Sequence, residues 1–202
     1  MIKQIEAYEP YNEQEERDKE IILSMLTEAE RMGEDIFFRE NRMAHMTASA
    51  WVVNRDRTKV LLAYHNIYNS WAWLGGHADG ERNLLSVAVR EVCEESGLTP
   101  AHVRPAWLIS QKGDLSQESA GDIFSLEVLA VDGHFKKGEY ISSHLHLNVT
   151  YLLEADEEET LYKKEDENSS VKWFLPEEAL AVSREPWFAE HIYRKLNEKA
   201  GL

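Results

Sequence analysis

The stretch that decides the fold is Gly75-Gly76-His77-Ala78-Asp79-Gly80-Glu81, followed after one helical segment by Arg90-Glu91-Val92-Cys93-Glu94-Glu95-Ser96-Gly97-Leu98. A glycine-containing loop opens it. A helix is expected from about Asn83 to Ser96, stopped by Gly97 and Pro100. At about 100° per residue, Leu85, Val89, Val92, Cys93 and Ser96 share one face, expected to pack on a sheet. Glu91, Glu94 and Glu95 stand at i, i+3 and i+4 and are expected to cluster on the opposite face.

Three like charges at that spacing destabilise a free helix, so the cluster is favourable only with a compensating partner. Hard divalent cations take oxygen ligands, which makes grouped carboxylates a platform for Mg²⁺ or Mn²⁺. Arg90 adjoins the cluster and can orient a carboxylate by a forked hydrogen bond. Most acidic runs are solvated faces, and the triplet alone would favour that reading. The preceding loop changes the balance. Gly75 and Gly76 let main-chain groups approach a ligand, and the loop feeds a helix N-terminus that favours phosphate. His77, next in line, suits a phosphate contact or a turn-stabilising role equally well.

In combination these residues resemble the Nudix box: Gly, five residues, Glu, seven residues, then Arg-Glu-U-x-Glu-Glu-x-Gly-U, where U is bulky and aliphatic. Arg90 to Leu98 fit without a mismatch, and counting back places Gly76 as the first glycine of the box. One departure falls at position 82, which is Arg82 where the box has its first glutamate. The GGHADG sequence resembles a bacterial subgroup with a shortened loop, in which Glu81 still serves or Asp79 replaces it.

The resemblance implies an α+β fold, an α/β/α sandwich around a mixed β-sheet. It also implies a Mg²⁺-dependent hydrolase, with Mn²⁺ as the alternative metal, cleaving a phosphoanhydride bond in a small nucleoside-diphosphate-linked substrate. Glu91, Glu94, Glu95 and the Gly75 carbonyl would hold the metal. Glu91, Glu94 and Arg90 would carry the chemistry, and Gly76 and His77 would meet the substrate phosphates. The general base is expected in the box or on a later acidic loop. Candidates there are Glu165-Asp166-Glu167, the Asp156-Glu157-Glu158-Glu159 run and, more weakly, Asp114 and Glu118.

Working outward, Ala48 to Asn54 and Lys59 to His65 read as a hairpin around Arg55-Asp56-Arg57-Thr58. Strands are expected at Ile123 to Val131, at Leu145 to Glu154 and at Val171 to Phe174, the last leading into a Pro176-Glu177-Glu178 helix start. A C-terminal helix is expected from near Pro186 to Gly201. At the other end, Asn12 to Met32 reads as a helix with Asn12 as its cap and Gly33 past its end. Its apolar residues gather in the second half, so only that half is expected to dock. Residues 1–36 are therefore read as a helical extension and 37–202 as the catalytic domain. A partial apolar stripe on the extension raises the expectation of a homodimer.

His144 and His146 share a strand face, but with no third ligand in view they are read as surface or pocket-wall residues. Tyr64, Tyr68, Trp71 and Trp73 precede the box and suit either base stacking or the ordinary core and rim. Cys93 is read as packing.

With 37 acidic against 22 basic residues the formal net charge is −15, which repels nucleic-acid backbones and disfavours a polymer-binding role. A single cysteine allows no internal disulfide, and no apolar run is long enough to span a bilayer. A cytoplasmic location without membrane attachment is the expectation. Two rivals stand beside the hydrolase. A non-catalytic nucleotide sensor on the same fold is disfavoured by the retained carboxylates. An isopentenyl diphosphate isomerase-like enzyme is disfavoured because the only cysteine lies inside the box helix.

Overall fold

The computed structural model describes residues 1–67, 69–106, 108–109, 115–116, 121–136, 138–164 and 168–202. In chain order the elements are α1 (Ile2–Ala7), α2 (Glu13–Met32), β1 (Ala44–Asn54), β2 (Val60–His65), β3 (Ser70–Ala72), β4 (Leu74–His77), α3 (Leu84–Ser96) and β5 (Val103–Pro105). There follow β6 (Leu108–Ile109), β7 (Leu115–Ser116), β8 (Ser125–Val131), β9 (His134–Lys136), β10 (Glu139–Ile141), β11 (His144–Ala155) and β12 (Asn168–Phe174). The chain ends with α4 (Pro176–Val182), α5 (Pro186–Phe188), a π turn (Ala189–Tyr193) and α6 (Arg194–Ala200). Eight strands form the main sheet along the path β12-β2-β1-β11-β5, with β3, β4 and β8 paired to β2, β1 and β11. This is the expected α+β architecture, a mixed sheet with helices as its other layers. Among the described residues no helix is long and apolar enough to cross a membrane.

The chain divides into two compact units, the first made of Met1–Ala48, Gly76–Val87 and Ile123–Thr150. In it the Asn12 side chain accepts the Glu15 amide at 3.0 Å, and Gly33 ends α2 in the left-handed region at φ 70°. Ile22, Leu26 and Ala29 are buried, as their spacing predicts. Glu15 is buried as well, so the expectation that only the second half of α2 docks is corrected. Polar bonds hold the first half. Glu15 accepts from the Tyr8 hydroxyl, from the Tyr11 amide at 2.8 Å and from the Ser125 hydroxyl at 2.7 Å.

The network continues along the β8–β11 pair, which is antiparallel from His144 opposite Val131 to Thr150 opposite Ser125. Ser125 also bonds Glu127, whose other oxygen accepts from Asn148 at 3.0 Å and Thr150 at 2.8 Å. Asn148 and Thr150 of β11 are thus as buried as the apolar residues between and beyond them, a feature that simple alternation does not reveal. Of the apolar residues of α2, Ile22, Leu26 and Ala29 are buried, Met25 is part-buried, and Ile21 and Met32 are exposed.

The second unit comprises Ser49–Gly75, Ala88–Asp122 and Tyr151–Leu202. Its hairpin pairs Val52 with Leu61 and Val53 with Val60. The turn closes because the Asn54 side chain accepts from the Thr58 and Lys59 amides at 2.8 and 2.9 Å. β12 adds antiparallel to β2, and Tyr193 of the π turn, itself fully buried, stacks on Trp51 at 5.2 Å. The C-terminal helix expected from Pro186 to Gly201 is present, interrupted by that π turn. At the end of α3, Gly97 has φ 75°, and a Cβ there would lie 2.7 Å from the Tyr162 Cβ. Only glycine fits where Tyr162 donates its amide to the Ser96 carbonyl at 2.7 Å.

Candidate active site

The loop before α3 lies in the first unit and is held by main-chain bonds. Ala78 donates its amide to the Met46 carbonyl at 3.1 Å, and Gly80 donates to Phe37 at 2.9 Å. Gly80 has φ 89°, and a Cβ would collide with the Phe38 ring at 2.4 Å, so the third glycine of the loop answers both to conformation and to close approach. Asp79 pairs in a fork with Arg39, and Arg82 pairs with Asp35 at 2.6 Å while lying over the Phe37 ring at 4.2 Å. Glu81 folds back to accept the Asn83 amide at 2.7 Å, and Asn83 accepts from Ser86 at 3.3 Å as the cap of α3. Position 82 therefore carries a salt bridge, and one Glu81 oxygen accepts an amide at the helix start.

The carboxylate cluster lies in the second unit. The buried side of α3 is Leu84, Val87, Ala88, Val92, Glu95 and Ser96, rotated by about one residue from the expected Leu85-Val89-Val92-Cys93-Ser96 face. That rotation corrects the picture of three equivalent outward glutamates. Glu95 is 3% exposed, accepts the Gly75 amide at 3.3 Å and stands 3.9 Å from the His65 ring nitrogen. Glu91 is half-buried, and Glu94 is exposed.

Arg90 donates to Glu91 at 2.8 Å and lies 3.8 Å from Glu94. Glu94 also accepts from Lys164 at 2.9 Å. Burial holds the Glu91 carboxyl above its ordinary range. The bond and charge of Arg90 oppose that shift, and the Glu94 charge adds to it. Asn168, fully buried, donates to the Glu95 carbonyl at 2.9 Å and accepts the Lys164 amide at 3.1 Å. One side chain thereby ties the end of α3 to the residue whose ammonium meets Glu94.

A second constellation occupies the first unit. His45 on β1 and His144 and His146 on β11 bring ring nitrogens within 4.8 Å of one another. The His77 ring lies 5.0 Å from those of His45 and His146. Spacing along the sequence reveals the i, i+2 pair but not its third member, His45. β1 begins at Ala44, four residues before the predicted edge, because Ala44-His45-Met46-Thr47 lacks the β-rich composition that marks its continuation. Lys164 was missed for a different reason: a pairing across 70 residues leaves no local signal.

Other candidates have simpler roles. Trp71 packs edge-on against Tyr64 and Phe174, and Trp73 is buried against Tyr193. Glu157 is engaged by Asn54 and Lys59. The Cys93 thiol is pushed up by burial and then by the Glu94 charge, which disfavours a thiolate nucleophile. Tyr68, Asp114, Glu118 and Glu165-Asp166-Glu167 lie outside the described residues.

A family model for the NUDIX domain matches residues 43–196. No curated protein matches the sequence. Among solved structures, an Ap4A hydrolase binary complex from C. elegans is similar at TM-score 0.50 and 16% identity, covering 77% of this chain and 94% of that one. The Nudix hydrolase RenU from M. smegmatis gives TM-score 0.50 and 16% identity over 78% of this chain and 84% of the other. The MutT protein from Methanosarcina mazei Go1 gives TM-score 0.50 and 14% identity over 78% and 96%. At these identities the likeness is one of fold, and it agrees with the sandwich assembled above.

Proposed function

The chain belongs to the Nudix family, and from that premise we propose that it hydrolyses a phosphoanhydride bond in a small nucleoside-diphosphate-linked substrate, with Mg²⁺ as its metal and Mn²⁺ as a substitute. The observation that carries the reading is the acid cluster of α3, held in place by Arg90, Lys164 and the Gly75 amide. The donor set fits a hard cation: carboxylates of Glu91, Glu94 and Glu95 and the Gly75 carbonyl offer only oxygen. The Glu91 carboxyl, raised by its burial against the opposing pull of Arg90 and Lys164, would gain from a bound cation.

When bound, Mg²⁺ would neutralise the pyrophosphate and lower the pKa of the attacking water. The protein's part is positional. Arg90 fixes one Glu91 oxygen, and the Gly75 amide fixes one oxygen of Glu95. Gly76 and His77 supply the phosphate contacts in this reading, and Glu81 stays with the helix cap. Water forms the new P–O bond, the bridging oxygen leaves with the electron pair of the bond that breaks, and the water's proton passes to a carboxylate base.

Wild-type protein incubated with ADP-ribose, dinucleoside polyphosphates, NADH, nucleotide sugars and nucleoside triphosphates should turn over at least one with Mg²⁺ or Mn²⁺ and none with EDTA. Nucleotide binding without turnover across that panel would replace the hydrolase with a sensor. Lys164→Met provides a separate check on the cluster. Without the ammonium, metal-free protein should melt about 1–2 °C lower, the loss of about 0.5 kcal/mol expected of a part-exposed pair. Saturating Mg²⁺ should then restore more stability to the variant than it adds to wild type.

A further inference from the structure

We propose that His45, His144 and His146 form a site for a borderline transition-metal ion of the Zn²⁺ class, separate from the carboxylate platform. The inference goes beyond the hydrolase reading and does not rest on it. His45 is 4% exposed, and its Nε2 has no hydrogen-bond partner. Its Nδ1 lies 3.0 Å from the Asn41 carbonyl, which can only accept, so Nδ1 carries the proton and the unpartnered Nε2 presents a lone pair. His144 is arranged alike, with Nδ1 2.9 Å from the Ser142 carbonyl and Nε2 left as the acceptor. A ring N–H anchored to a main-chain carbonyl, with the other nitrogen free to ligate, is the usual support for a metal-binding histidine.

The spacing agrees. The Nε2 atoms of His144 and His146 are 3.2 Å apart, against about 3.3 Å for the edge of a tetrahedron with Zn–N bonds of about 2.0–2.1 Å. The three ring centroids form a near-equilateral triangle of 4.9, 4.9 and 5.0 Å, where the same geometry gives about 5.2 Å. A plain His146-to-His144 hydrogen bond would satisfy those two nitrogens but leave the buried lone pair of His45 unanswered. One cation answers all three. Neutral imidazoles suit Zn²⁺, Co²⁺, Ni²⁺ or Cu²⁺ and are poor ligands for Mg²⁺. Three ligands leave a fourth position open to water, with the His77 ring close by.

The test is a titration of EDTA-stripped full-length protein with Co²⁺ in millimolar Mg²⁺, read by visible absorption and by metal analysis after desalting. One Co²⁺ per chain, with the intense bands of a four-coordinate site and displacement by Zn²⁺, is the expected result. His45→Asn and His144→Asn should each weaken binding at least about a hundredfold, with the metal-free far-UV spectrum unchanged. His144 is only half-buried, so its variant folds even if the His45 variant does not. Glu94→Gln should leave the Co²⁺ spectrum as it is, whatever it does to hydrolysis. Failure to bind Co²⁺ or Zn²⁺ at micromolar concentration, or bands that survive both histidine variants and vanish with Glu94→Gln, would overturn the proposal.

Discussion

Glu94→Gln is expected to lower kcat by about a thousandfold, equivalent to about 4 kcal/mol of transition-state stabilisation, with little change in the fold. Glu94 is the informative member of the triplet because it is exposed and paired with the flexible side chains of Lys164 and Arg90. A neutral isostere there removes the proposed metal ligand while leaving the buried side of α3 untouched. Glu95→Gln would confound the two, since Glu95 is buried and holds the Gly75 amide.

Glu91→Gln should raise the stability of the metal-free protein. A carboxyl whose folded pKa is raised binds its proton more tightly when folded, so stability is lost as pH rises from the unfolded value through the folded one. Above the folded pKa the metal-free wild type has lost that stability, and the glutamine variant has not. Its melting temperature without metal should therefore exceed that of wild type while its Mg²⁺-dependent rise shrinks. Kinetics and melting curves with Mg²⁺ and with EDTA check both residues. Unchanged turnover in Glu94→Gln would remove the acid cluster from the mechanism.

Glu15→Ala is expected to cost about 3 kcal/mol and to lower the melting temperature by about 6–12 °C. The side chain is fully buried and serves the Tyr8 hydroxyl, the Tyr11 amide and the Ser125 hydroxyl at once. Removing it strips the Tyr8 hydroxyl and the Tyr11 amide of this acceptor inside the protein, where each such loss costs about 1–3 kcal/mol before relaxation, while the Ser125 hydroxyl keeps Glu127. Glu16→Ala, one residue along on the exposed side of α2, should change stability by less than about 0.5 kcal/mol. Urea unfolding of the two variants measures the difference, and equal midpoints would refute the role assigned to the network.

The residues that revealed most in the sequence were those whose chemistry is local. The loop glycines, the Arg90-to-Leu98 run and the β1–β2 hairpin carry their meaning in spacing alone, and the family followed from them. Long-range electrostatics stayed hidden. Nothing near Glu15 or Glu127 in the chain indicates that one buried hydroxyl will lie within hydrogen-bond reach of both carboxyl groups, and charge ordinarily reads as surface. The α3 face was misjudged for a related reason. Counting only apolar residues excludes Glu95, which a main-chain amide and a nearby imidazole make acceptable inside. His45 escaped because its partners lie about a hundred residues away, and tertiary pairing alone brings β1 beside β11.

The π turn at Ala189–Tyr193 bears on how this chain can change length. Such a turn accommodates one residue more than the α spacing needs while the helical segments on either side keep their facing. Losing a codon inside it would let the segment relax to ordinary α geometry, with Leu196 and Ala200 still turned inward. The same loss a few residues later would swing everything downstream by about 100° and expose that apolar edge. The C-terminal helix thus holds one short stretch where its reading frame of contacts tolerates an indel, set beside Tyr193, the aromatic that stacks on Trp51.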